Sequence, residues 1–133
     1  MRRLLGLALA LAGAPASAGC LPAGTGAPMQ GPPAAPFAAT IALQPQPPRV
    51  GQPFSVALTV CGETARPFER LAIDAWMPVH RHGMNFRPEL VALGDGRFEA
   101  RGFLFHMAGR WEITLSVYAA GEPTHLTHRV VLE

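Results

Sequence analysis

Trp111, Ile113, Leu115 and Val117 alternate one for one with Glu112, Thr114 and Ser116. Successive side chains on a strand point to opposite faces, so this period of two describes a strand with one face in a core and one in water. A helix would scatter the same apolar residues around its axis. The period recurs at Phe54, Val56, Leu58 and Val60, and again at Leu126, His128, Val130 and Leu132. Residues 71–77 repeat it, with Leu71, Ile73 and Ala75 on one side and Asp74 and Trp76 on the other. Shorter apolar runs at 39–43, 89–93 and 98–105 complete a set of seven strands.

Turn residues stand between them. Pro45, Pro47 and Pro48 stop the first strand, and Cys61-Gly62 ends the second. Gly94-Asp95-Gly96 is a hairpin turn, and Ala108-Gly109 and Gly121-Glu122-Pro123 mark two more. The spacing predicts no helix and no internal repeat. With 133 residues and about half of them apolar, there is material for one core and one domain. The expected architecture is all-β: an immunoglobulin-like antiparallel β-sandwich of about seven strands over 37–133, with a small barrel as the alternative.

The N-terminal part has a different character. Met1-Arg2-Arg3 is a positive start, residues 4–14 form an apolar run, Pro15 breaks it, and Ala16-Ser17-Ala18 suits a cleavage site. This pattern predicts a signal peptide over 1–18 and an exported chain, with the periplasm as its location. The apolar run is too short to span a bilayer, and no later segment is long enough. Ser17-Ala18-Gly19-Cys20 also fits a lipobox, which would acylate Cys20 and tether the protein to the membrane. If Cys20 is not acylated, it and Cys61 form one disulfide in an oxidising compartment. The two alternatives stay open at this point. Residues 19–36 are mostly Gly, Pro and Ala, and predict a flexible linker in which Met29 has no special place.

Charge excludes one class of partner. The net charge of +2 is small, all eleven basic residues are Arg, and no basic run occurs, so nucleic acid is not expected. Enzyme motifs are missing as well. There is no GxSxG, no phosphate loop and no HExxH. A non-enzymatic protein is the expectation.

The unusual stretch is MPVHRHGM, residues 77–84, which holds two of five His and two of five Met. Met77, His80, His82 and Met84 leave the end of a strand. His80 and His82 are two apart, so an extended backbone would aim both imidazoles the same way. His106-Met107 ends another strand, and the two groups converge if both strands finish at the same rim. Thioether sulfur is soft and favours Cu(I), imidazole accepts copper or zinc, and no carboxylate stands at ligand spacing. The candidate metal set is therefore His80, His82, Met84, His106, Met107 and Met77, and copper is the expected ion. Each residue also has a packing explanation: Met77 in the core, Met84 beneath its loop, the histidines in solvated turns. His125 and His128 are not expected to be ligands, and Trp76 is the aromatic next to the set.

Four pieces appear in a fixed order: Met77-Pro78, His82-Gly83-Met84, Gly94-Asp95-Gly96, and Met107-Ala108-Gly109-Arg110-Trp111. In this order they resemble the YtkA-like and FixH-like exported domains. The resemblance covers 37–133 and is strongest from 75 to 117. It implies an immunoglobulin-like sandwich. It also implies, by analogy with members associated with copper handling or cytochrome oxidase assembly, a copper carrier or oxidase-assembly accessory. The chain departs from the pattern in its lack of a transmembrane anchor and in the extra imidazoles at His80 and His106. The expectation is a monomeric copper-binding protein of the periplasm or envelope, with an envelope or oxidase-assembly protein as partner. The alternative is a metal-free sandwich that docks such a partner through its loops or an edge strand.

Overall fold

The computed structural model describes residues 18–62 and 67–133. Residues 1–17 of the expected signal peptide lie outside the described residues. Among the described residues, nine strands follow a 3-10 turn at Ala18–Cys20: β1 Ala27–Pro28, β2 Phe37–Gln44, β3 Pro53–Gly62, β4 Arg70–Met77, β5 His82–Gly83, β6 Glu89–Gly94, β7 Arg97–Leu104, β8 Gly109–Tyr118 and β9 Thr124–Leu132. They form two antiparallel sheets, ordered β1-β2-β3-β7-β6 and β5-β4-β8-β9. The fold is the expected β-sandwich. All seven expected strands are present, and two short ones, β1 and β5, are added.

The inward set of each strand is the set that alternation selects. Trp111, Ile113, Leu115 and Val117 of β8 are completely buried against Val56 and Leu58 of β3 and the rest of one continuous core. Burial of each such side chain stabilises the fold by about 1.5–3 kcal/mol before entropy is counted. Phe105 stacks on Trp111 with ring centres 4.4 Å apart and planes 10° from parallel. This pair lies where the chain crosses from β7 in one sheet to β8 in the other. Gly109 opens β8 at φ +128°, and a Cβ placed there would stand 2.7 Å from the terminal methyl of Met77. Only glycine permits both that backbone angle and that approach.

The linker expectation is corrected. The segment 19–36 is attached to the sandwich along much of its length. β1 pairs with β2, Ala27 opposite Ile41. The Met29 N–H donates to the carbonyl of Ala39, and Gln30 exchanges two backbone hydrogen bonds with Thr127 of β9. Met29 is buried in the core rather than adrift in a tether. Cys20 and Cys61 are joined by a disulfide, with Cα atoms 6.0 Å apart. A Gly/Pro-rich composition suggested little to bury, but one methionine and a few backbone groups suffice to seat this strap on two sheet edges.

Candidate functional site

β4 and β7 finish at the same end of the sandwich. β5 folds back on the end of β4, pairing Met77 with His82 and Trp76 with Gly83. Residues 78–81 between them form a tight turn, closed by the Arg81 N–H donating to the Met77 carbonyl at 2.9 Å. Arg81 sits in the left-handed region at φ 56°, a conformation that costs a non-glycine residue about 1–2 kcal/mol. His80 and His82 do come together, with ring centres 5.8 Å apart and nearly parallel planes. The cause is this turn, however, not the extended backbone that the i, i+2 spacing suggested.

His106 follows β7 at the same rim. Its ring centre is 5.1 Å from that of His82. Two imidazoles bound through nitrogen to one tetrahedral ion, at about 2.0–2.1 Å each, have ring centres about 5 Å apart. The His82 Nδ1 lies 3.1 Å from the carbonyl of Gly83. Donation to that carbonyl fixes the tautomer and leaves Nε2 with a free lone pair. The Nδ1 of His106 is buried and has no hydrogen-bond partner.

Trp111 forms the floor. Its ring meets His82 at 5.9 Å and His106 at 5.4 Å, both edge to face. Its Nε1–H donates to the Met107 carbonyl at 3.1 Å, which ties the His106-Met107 backbone to β8. Trp76, the aromatic suggested by sequence proximity, is instead 45% exposed. Alternation already placed Trp111 inward. Its contact with two distant imidazoles depends on which sheet β7 and β8 belong to, and no local pattern carries that.

The remaining candidates divide. Met84 and Met107 are half-buried and pack against the core, two residues and one residue along the chain from His82 and His106. Met77 is corrected: it is 1% exposed, with its methyl over Gly109, and its thioether is part of the core. His80 is exposed. His125 lies on the outer face of β9, its Nδ1 2.9 Å from Ser116 Oγ. His128 points inward, and burial holds its imidazole below the ordinary histidine range. Asp74 accepts the Ala75 N–H on β4 and stands apart from the histidines.

Among the described residues, no three His, Cys, Asp or Glu side chains are placed to hold a metal. Met84 and Met107 carry thioethers, which are soft donors. Also among the described residues, no helix is long and apolar enough to cross a membrane. The chain matches no family model, no curated protein and no solved structure.

Proposed function

We propose that this chain is a non-enzymatic copper-binding protein of the cell envelope, which carries Cu(I) for an envelope or oxidase-assembly partner. His82 and His106 are the nitrogen ligands, and Met84 and Met107 the thioether ligands. His80 is an outer imidazole through which the ion enters or leaves. The observation that carries this reading is the buried, unpartnered Nδ1 of His106 beside the His82 ring. A buried nitrogen without a partner costs about 1–3 kcal/mol, and a bound cation is one group that would satisfy it. Copper, when bound, supplies a soft Lewis acid suited to mixed nitrogen and sulfur donors. The chain's own residues do the rest. Gly83 orients His82, Trp111 walls the site below, and Met84 and Met107 shield it from water while offering exchangeable sulfur. The order of motifs shared with the YtkA-like and FixH-like domains supports the same reading, as does the pattern of an export signal.

The test is a titration of Cu(I) and Cu(II) against competing chelators. The expected result is one Cu(I) per chain, bound at least about a hundredfold tighter than by a His80→Ala, His82→Ala, His106→Ala triple variant, a difference of about 2.7 kcal/mol. Equal affinity of the two proteins, or binding no tighter than that of a histidine peptide, would overturn the proposal.

A further inference from the structure

Several strands have an edge that is only partly covered: β9 meets Gln30 only at Thr127, and β2 meets β1 only at Thr40 and Ile41. β4 is likewise an edge for most of its length. It pairs with β8 from Arg70 to Trp76, but its other side meets β5 only at Trp76 and Met77. Leu71 and Ile73 on this strand are only partly buried. They open onto a surface cleft bounded by Arg87, Pro88 and Leu90. An exposed strand with apolar side chains and unpaired backbone groups is a template for another strand.

We propose that β4 pairs with the β4 of a second copy of this chain, antiparallel about a two-fold axis at Ala72. The sequence of the strand is self-complementary in that register. Ala72 faces Ala72 of the second copy on the axis, and Leu71 faces Ile73 and Arg70 faces Asp74, each of these two contacts occurring twice. Backbone direction agrees. The Ala75 carbonyl stands 3.2 Å from a Cβ built on Gly83 of β5, so Ala75 turns its backbone groups to that side, and by alternation residues 71 and 73 turn theirs to the same edge. In this register 71 meets 73 and both can exchange hydrogen bonds, as an antiparallel ladder requires. Arg70 and Asp74 then form the closer, non-hydrogen-bonded kind of pair on the outer face. The Arg70 guanidinium lies 3.7 Å over the ring of Tyr118, a stack that uses its face and leaves its in-plane N–H donors for a carboxylate. The register also stops short of Trp76, so β5 is left in place. The other partly open edges offer no such complement: β6 has Glu89 as its only charge, β9 carries Arg129 and histidines but no carboxylate, and β2 has no charge.

Sedimentation of the oxidised protein, as recovered from cells, over about a hundredfold range of concentration tests this. The wild type is expected to show a reversible monomer–dimer equilibrium. Arg70→Asp and Asp74→Arg, each alone, should each weaken the dimer at least about tenfold, about 1.4 kcal/mol, and the double variant should restore it. Ala72→Cys should form a disulfide-linked dimer under mild oxidation, because opposite Cβ atoms in such a pair are about 4.5–5.5 Å apart. A monomer at every concentration, or single variants that dimerise as the wild type does, would overturn the proposal. So would dimerisation lost through substitutions in β6 instead. Copper affinity is a separate readout at the other side of β5, so failure here leaves the metal reading untouched.

Discussion

His106 holds a side-chain nitrogen that is buried and without a partner. A packing residue at that position would be better as leucine, because the imidazole leaves a polar atom dry for no structural return. The expectation is therefore opposite to the usual effect of mutation. In metal-free protein, His106→Leu should raise stability by about 1 kcal/mol, a Tm increase of about 3–6 °C for a domain of this size. The same variant should lose the Tm increase that Cu(I) gives the wild type. Thermal melts of both proteins, with and without Cu(I), check this. A fall of several degrees in the metal-free variant would show that the imidazole serves the fold. Met77 contrasts with it. Met77 ends β4 and His106 follows β7 in the opposite sheet at the same rim, yet Met77 is sealed in the core and His106 faces the cluster. Residue type alone could not separate them, since a methionine ending a strand serves either purpose.

At the scale of strands, alternation is what made the fold legible. β3 and β8 each keep an unbroken apolar face, β9 keeps one interrupted by His128, and their positions follow from the period alone. β1 and β5 are two residues long, too short for a period to register, and β1 includes a proline. The site was legible only as two separate groups. Their meeting depends on the β7–β8 crossing between sheets, and that is a tertiary fact. His128 is where strand pattern and titration meet. It occupies an inward position of β9 opposite Ile113, and burial lowers its pKa from the ordinary 6.5. The folded state thus takes up its proton at a lower pH than the unfolded state does. Stability from this group is fully present above the unfolded pKa and is lost as pH falls through the folded one. His128→Leu should flatten the decline of Tm between about pH 7 and pH 5 relative to the wild type. Parallel slopes for the two proteins would mean that the imidazole is as well solvated folded as unfolded.

Across the whole molecule, chemistry and fastening occupy opposite ends. β3 begins at Pro53 beside Leu104, next to the imidazoles, and finishes at Gly62 beside Phe37. At about 3.3 Å per residue, the eight steps from Pro53 to Cys61 set the disulfide roughly 26 Å along the strand from the end that holds the imidazoles. The strap it anchors runs from Cys20 through the Thr25–Thr40 hydroxyl contact, buried Met29 and the Gln30–Thr127 bridge, joining one sheet to the other. Closing a loop across a sequence separation of 41 is worth about 3–4 kcal/mol in the chain-entropy picture. A Cys20→Ser, Cys61→Ser variant should therefore melt well below the wild type. Its amide exchange should accelerate first at Met29, Gln30 and Thr127, while the β4–β8 ladder keeps its protection. The disulfide also occupies the one Cys20 sulfur that acylation would need. Intact-mass measurement of the isolated wild type should show a deficit of two hydrogens and no diacylglycerol. A lipid increment would instead exclude the disulfide, and the strap would then be held by the Thr25–Thr40 contact, Met29 and its backbone bonds. In that case the double serine variant would melt with the wild type. The two measurements together decide whether the fastening is covalent.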